Sequence, residues 1–386
     1  MPRRVVITAM GIVSPLGIGC AETDRALREA RDCIRPVTTF DISKCRSKTA
    51  GHAPSIPTAD PRLHPASRMM ISAALQTRAA DPGFTPELAI IGTTSGGMSH
   101  GEHYYRTQAQ RTTRHATMLA NYPAQRPVLD ALAALHTTAP AQIIANACAS
   151  GTNAIGHAFH LIRAGLHTRI LAGGYDALCE LVFVGFDTLQ ASTTDKIRPF
   201  CHTRTGLVLG EGAALLTLEE YTAAKTRNAP ILAELTGYGI STDNHHLTQP
   251  HPSGIGPRLA MTRALADARL TPADIHYINA HGTATHHNDH TEGTAIHTLF
   301  GPHVPISSTK GMTGHTLGAA GAIEAIISIL ALTGHYLPPN INYRQPDPAF
   351  PLNIIANTAI PAHPRTILSN SFGFGGTNAT IILQAI

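Results

Sequence analysis

Lysine is scarce in this chain: only five (44, 48, 196, 225 and 310) stand among its 29 basic residues. No run of five or more basic residues occurs and the net charge of +4 is dispersed, so nucleic acid is poorly supported and an acidic protein partner is the most the charge suggests. CxxC pairs are absent. The six cysteines (20, 33, 45, 148, 179 and 201) form no regular framework, which fits reduced thiols in a cytoplasmic compartment better than disulfides. No uninterrupted apolar run of about 18 residues is visible, and the first residues, Met1 to Thr8, lack the long apolar core of a signal peptide. The expectation is a soluble, cytoplasmic protein without a membrane span. Low-complexity segments and clear linkers are also missing.

What is present suits a large α/β enzyme. The chain has 386 residues, 43% hydrophobic, with 33 Gly and 27 Pro, enough for one two-part unit or two domains with an ample core. Strand-like runs such as Arg4–Ala9, Leu88–Gly92, Gln142–Ala145, Arg169–Gly173 and Ile275–Ala280 alternate with helical patterns such as Ser67–Ala79, Gly256–Ala268 and Asp289–Phe300. That alternation predicts a sheet covered by helices on both faces. The least regular stretch, Gly97–Arg126, reads as a pocket-lining or interface excursion. The halves show a weak similarity: a small-residue elbow leads into a helix after Cys148, and Lys310-Gly311-Met312-Thr313-Gly314-His315 leads into the apolar helix Gly318–Leu332. That second helix is apolar nearly all round, with Glu324 its only charge, so it should be buried and its carboxylate should have a partner.

Four motifs carry candidate chemistry. Cys148 lies in Asn146-Ala147-Cys148-Ala149-Ser150-Gly151-Thr152, between a strand-like run and a helix. There, backbone N–H groups and the helix dipole would favour a nucleophilic thiolate. A lone cysteine is more often an inert small hydrophobe. His281, in Asn279-Ala280-His281-Gly282-Thr283-Ala284-Thr285, follows the end of a strand, where α/β sheets place their ligand crevice. His315 closes the Lys310 motif, which lacks the spacing of a phosphate-binding loop. His281, alone, reads as a hydrogen-bonded structural residue. Asn370-Ser371-Phe372-Gly373-Phe374-Gly375-Gly376-Thr377-Asn378 could bring an N–H at Phe374 beside that of Cys148 as an oxyanion hole, or could be a tight turn between two strands. One thiol and two imidazoles together suit acyl transfer between thioesters. His286 and His290, at i and i+4, have no second cluster to complete a zinc site, and His245-His246 reads as a pocket wall.

In this order and over nearly the whole chain, these motifs resemble the β-ketoacyl-ACP synthases, the decarboxylating condensing enzymes of fatty acid and type II polyketide synthesis. Val5-Val6-Ile7-Thr8-Ala9-Met10-Gly11, Arg198-Pro199-Phe200 and Gly210-Glu211-Gly212-Ala213 join the resemblance. It implies the thiolase fold, duplicated α/β halves (1–218 and 219–386) in a five-layered αβαβα sandwich, normally a homodimer. It implies Cys148 as acyl-accepting nucleophile, His281 and His315 as the pair supporting malonyl decarboxylation, and Lys310 with Glu324 as the network orienting His315. Phe374 would gate the acyl pocket and lend an oxyanion N–H, Thr283 and Thr285 would hold the phosphopantetheine arm of an acyl carrier protein, and Asn288, Asp289 and Glu292 would belong to the turn and helix after the His281 loop. No metal or dissociable cofactor is implied. Three departures stand out. His202 and Thr205 replace the family's usual aspartates, the 188–198 loop looks shortened, and Gly101 falls where a bulky residue often closes the acyl tunnel, so a deeper pocket is expected.

These departures favour a specialised polyketide or polyene pathway over housekeeping fatty acid elongation. A thiolase would carry a second cysteine near the C-terminal glycine turn, and none follows Cys201. A non-catalytic chain-length-factor-like subunit would lack the nucleophile. It remains a possible heterodimer partner, as the alternative to a homodimer. Initiating synthases of the third type have Asn where this chain has His315.

Overall fold

The computed structural model describes residues 2–58, 60–109 and 116–386. Ten principal strands run in chain order as β1 Val5–Ser14, β2 Leu88–Gly92, β3 Ala141–Ile144, β4 Arg169–Asp176, β5 Gly212–Glu220, β6 Ala233–Thr242, β7 Tyr277–Asn279, β8 Pro305–Ser307, β9 Thr366–Gly373 and β10 Thr377–Gln384. They line up as β3-β2-β4-β5-β1 and β8-β7-β9-β10-β6, joined where β1 meets β6, and the short strands Gly17–Ile18 and Asn353–Ile354 complete a twelve-stranded sheet.

The two sets repeat one pattern. β2 pairs parallel with β3 and β4, while β5 runs antiparallel to β4 and β1. β7 likewise pairs parallel with β8 and β9, and β10 runs antiparallel to β9 and β6. The expected duplication is therefore visible in topology. Both faces are buried, so the strands are apolar throughout and their alternation sorts neighbours between layers. Leu88 and Ile90 of β2 join the central core, whereas Ala89 and Ile91 join the outer one. Ile367 and Leu368 of β9 divide in the same way.

Six longer helices matter here: α1 Pro65–Ala80, α2 Met98–Ala109, α3 Ser150–Arg163, α4 Ile255–Ala268, α5 His286–Phe300 and α6 Ala320–Gly334. α1 covers β1 and β5, and α4 covers β6 and β10. Between the two sets lie α3, packed on β2, β4 and β10, and α6, packed on β9 and β5. Helix, sheet, helix pair, sheet and helix make the five layers of the expected thiolase fold. Residues 317–334 form an 18-residue stretch long and apolar enough by composition to cross a membrane, contrary to the expectation that no such run exists, but it is 83% buried as the middle of this sandwich.

Both central helices start from the same elbow. Ala147 (φ 56°) and Leu317 (φ 54°) take the left-handed conformation, each opens a single 3-10 turn, and α3 or α6 follows. The elbows meet at glycines: a Cβ on Gly151 would lie 2.7 Å from the Gly318 carbonyl oxygen, and one on Gly321 would lie 2.7 Å from the Thr152 nitrogen. Only glycine permits this approach.

Two expectations need correction. Gly97–Arg126 is not mainly irregular: α2 fills its first half and a 3-10 helix covers Ala116–Asn121, while 110–115 lie outside the described residues. The boundary at 218/219 would cut β5, which runs to Glu220, so the connection between halves spans residues 221–232.

Candidate active site

Cys148, His281, His315, Phe374, Thr283 and Thr285 all line one cavity of about 320 Å³. Both halves supply them: Cys148 from the elbow before α3, His281 just past the end of β7, and His315 three residues before the Gly318 of the second elbow.

Cys148 is buried. Burial pushes its thiol up to about 12, against the pull of the Lys310 charge and of the backbone N–H groups of Phe374 and Cys148 itself. The expected thiolate is thus not the resting form; desolvation outweighs the N–H groups and the nearby positive charge. Phe374 lies in the turn after β9. Gly375 (φ 83°) and Gly376 (φ 78°) form that turn, and a Cβ on Gly373 would lie 3.2 Å from the Cys148 nitrogen. The backbone of the turn therefore comes up against Cys148. The Phe374 ring stacks on Phe186 at 5.3 Å.

The two imidazoles meet edge to face, with ring centres 5.2 Å apart. Burial, followed by the charge of Lys310, holds both well below the usual histidine range, so both are neutral. Lys310 Nζ donates to the His281 carbonyl at 2.6 Å and lies 3.3 Å from His281 Nδ1. An ammonium at Nδ1 leaves the ring proton on Nε2. Neither ring nitrogen of His315 has a hydrogen-bond partner among the described residues. Lys310 is also ion-paired with Glu324, both fully inside the protein; burial pushes that carboxyl up to about 7. The partner expected for the lone charge on the apolar helix is therefore Lys310.

The His281 loop hangs from a second carboxylate. Glu292 Oε1 and Oε2 accept from the His281 and Gly282 nitrogens, each at 2.8 Å, and Asn370 Nδ2 donates to Oε1 at 3.2 Å. Burial raises this carboxyl to about 7 despite those bonds. Asp289 fixes the next turn by accepting from the Ala284 nitrogen at 3.0 Å and the Phe200 nitrogen at 2.6 Å. Thr285 caps α5 by accepting from the Asn288 nitrogen at 3.3 Å, and its hydroxyl lies 3.0 Å from that of Thr283.

Two family models match the chain, the N-terminal domain of beta-ketoacyl synthase over residues 2–224 and its C-terminal domain over 232–344. The 3-oxoacyl-[acyl-carrier-protein] synthase 2 of Coxiella burnetii is 36% identical over 409 residues, covering 100% of this chain and 99% of its own. The chain belongs to the β-ketoacyl synthase family. Among solved structures, the ishigamide ketosynthase/chain length factor matches this β-ketoacyl synthase with a TM-score of 0.94 at 33% identity, both chains covered in full. A type II polyketide synthase acyl-carrier protein in complex with its ketosynthase, bound to the hexaketide, matches at 0.91 and 28%, again over both whole chains.

Some expected residues of this β-ketoacyl synthase lie elsewhere. Gly101 is on α2, outside the wall of the cavity, and the room a side chain would need is taken by Tyr122, whose ring carbons lie 2.6 Å from an added Cβ. His245 and His246 are exposed, and Thr248, Gln249 and Pro250 form the wall instead. Where aspartates are usual, Thr205 pairs with the Thr193 hydroxyl at 2.6 Å, and the carboxylate beside buried Arg204 comes from distant Asp347 at 2.5 Å. His286 and His287 line the same cavity, and no cluster of three His, Cys, Asp or Glu side chains suits a metal among the described residues.

Sequence reading missed Asp243 and Asp176. Asp243 joins the Phe374 turn to the cavity wall: its nitrogen donates to the Gly376 carbonyl at 2.8 Å, and its carboxylate accepts from Asn378 Nδ2 at 2.8 Å. Asp176 ends the apolar strand β4 and is fully buried. An acid closing an otherwise apolar strand was the available signal.

Proposed function

We propose that Cys148 accepts an acyl group from an acyl carrier protein and that the His281–His315 pair then drives its decarboxylative condensation with malonyl-carrier, giving β-ketoacyl-carrier. The observation that carries this reading is the meeting of one thiol and two neutral imidazoles in a single cavity.

In the first half-reaction Cys148 Sγ attacks the thioester carbonyl. Negative charge builds on that oxygen, and the N–H groups of Cys148 and Phe374 receive it. The C–S bond to the carrier breaks, and the proton lost by Cys148 ends on the carrier thiol. Thr283 and Thr285, with hydroxyls in the same wall, hold the phosphopantetheine arm. In the second half-reaction the malonyl thioester oxygen takes hydrogen bonds from His281 Nε2–H and from His315. Neutral donors suit a developing enolate without placing a bare cation in a buried site. The C–C bond to the carboxylate breaks, carbon dioxide leaves, and the electron pair attacks the acyl carbonyl. Cys148 Sγ then departs as a thiolate and takes a proton from water, which restores the thiol. Loss of carbon dioxide supplies the carbanion, so the step draws on no metal or cofactor.

The chain serves a fatty acid or type II polyketide pathway, and the polyketide side is favoured by its 0.91 TM-score to the ketosynthase held by a type II polyketide synthase acyl-carrier protein. Its 0.94 TM-score to the ishigamide ketosynthase/chain length factor also favours a heterodimer with a homologous subunit over a homodimer. The two halves meet in the 221–232 connection, and six unpaired cysteines suit the cytoplasm. The test is incubation with acyl-carriers of graded length and malonyl-carrier, read by mass. An acyl adduct absent in Cys148→Ala, then a carrier product longer by two carbons, is expected; no adduct from any acyl-carrier would overturn the nucleophile.

A further inference from the structure

Asp176 lies between the two elbows, and no step described above uses it. Its carboxylate collects five donors, all neutral: Thr93 Oγ1 (2.8 Å), Thr94 N (2.9 Å), Ser95 N (2.8 Å), Ser95 Oγ (2.7 Å) and Gly318 N (2.6 Å). The first four come from the turn after β2. The fifth comes from the opposite half, three residues beyond His315. Complete burial holds this carboxyl above the usual carboxylate range, against the downward pull of the Ser95 and Thr94 N–H groups and the Ser95 and Thr93 hydroxyls.

That turn is also the seat of the nucleophile. Ser150 Oγ, at the start of α3, lies 3.2 Å from the Thr93 carbonyl and 2.6 Å from the Ala147 carbonyl, and it accepts from the Asn146 nitrogen at 2.9 Å. The Cys148 elbow is thereby tied to the 93–95 turn, and Asp176 ties that turn to the His315 elbow. The junction has no slack: a Cβ on Gly318 would lie 2.7 Å from both Asp176 Oδ2 and Thr93 Cα.

We infer that Asp176 is a positioning residue that sets the distance between the acyl group on Cys148 and the carbanion formed under His281 and His315. The inference rests on the condensation proposed above. Neither half-reaction alone needs both elbows: acylation uses Cys148 with its own N–H and that of Phe374, and decarboxylation uses the imidazoles with Lys310. Bond formation between the two substrates needs both elbows in register. When register is lost, the malonyl C–C bond still breaks and carbon dioxide leaves, but the electron pair takes a proton from water and yields acetyl-carrier instead of attacking the acyl carbonyl. An Asn at this position must turn its NH2 toward either the Thr94 and Gly318 nitrogens or the Ser95 nitrogen, and so repels one side of the junction.

The experiment measures acetyl-carrier and β-ketoacyl-carrier by mass, with carbon dioxide release, for the full chain, Asp176→Asn and Ser95→Ala. The unsubstituted chain should release about one carbon dioxide per condensation. Asp176→Asn should keep decarboxylation within a few-fold while condensation falls about 10–100-fold, so that acetyl-carrier dominates. Ser95→Ala, which removes one hydroxyl donor and leaves the charge, should move the ratio the same way by less. The Asp176 charge is among the influences that raise the Cys148 thiol, so alkylation of Cys148 should shift to lower pH in Asp176→Asn and stay in place in Ser95→Ala. Activities that fall together at an unchanged ratio would mean a merely structural role. If Asp176→Asn does not fold, an unchanged ratio in Ser95→Ala overturns the inference. No β-ketoacyl product from the unsubstituted chain would count against the condensation itself, not against Asp176 alone.

Discussion

Lys310 Nζ donates to the main-chain carbonyl of His281 at 2.6 Å while standing 3.3 Å from the Nδ1 of the same residue. One ammonium thus fixes the loop and the tautomer of the imidazole together. Lys310→Met should retain Cys148 acylation and lower malonyl decarboxylation about 10–100-fold, the usual cost of losing a residue that orients a functional imidazole. It also strands Glu324. Since that carboxyl already titrates about 7, far above an unfolded glutamate, the folded variant binds the extra proton and regains stability as pH falls. Urea unfolding should show a deficit of about 3 kcal/mol at high pH that narrows near pH 6. A Lys310→Met/Glu324→Met double variant should recover stability but not decarboxylation.

His315 offers a cleaner separation of fold from chemistry. Among the described residues its ring nitrogens have no partner, and its backbone nitrogen is held by the Val208 carbonyl at 2.7 Å. His315→Ala therefore breaks no hydrogen bond of the fold. Its thermal midpoint should move by only a few degrees, since the cost is that of a cavity. Decarboxylation should fall about 10²–10³-fold, as for removal of one oxyanion donor. Acylation of Cys148, read by intact mass, should persist; its loss would place His315 in the first half-reaction instead.

Much of this was legible in the chain because local chemistry marks it. Cys148, His281 and His315 sit at turns whose small residues announced an elbow, and the lone charge in Gly318–Leu332 demanded the partner that Lys310 supplies. Strand β2 was readable because both its faces are buried and its residues are apolar in succession. What could not be read depends on distant contacts. Asp176 gains its meaning from Gly318, 142 residues away, and the boundary in β5 was missed because the strand continues into Glu219 and Glu220. Glu219 is buried, held by Arg169 and Arg227. Gly101 misled because Tyr122, not solvent or pocket, fills the space beside it.

Gly101 therefore should not govern chain length. Gly101→Ala places a methyl against the Tyr122 ring, so the ring must swing out of place, at a cost of about 1–3 kcal/mol less the helical gain over glycine. The distribution of product lengths from graded primers should match the unsubstituted chain. A shift to shorter products would put Gly101 in the acyl tunnel after all.

Stability should fall steeply in mild acid, and His64 provides the test. Its Nδ1 accepts from the Ala66 nitrogen at 3.0 Å to cap α1, its Nε2 lies 2.8 Å from the Ser99 hydroxyl, and its ring packs 4.5 Å from that of His100. Burial, then the His100 and Arg68 charges, pull it down to about 3. An unfolded imidazole binds its proton near pH 6.5. Between those values the unfolded chain carries a proton that the native protein lacks, so lowering pH through the window removes stability. His64→Asn keeps a capping acceptor and deletes the titration. It should be the less stable protein at about pH 7.5, and the gap should close by up to about 1.4 kcal/mol per unit below pH 6.5. His100, His281 and His315 are depressed in the same way but are common to both proteins, so the difference in urea midpoints isolates His64. A gap that stays constant with pH would show that its ring is protonated in the native state.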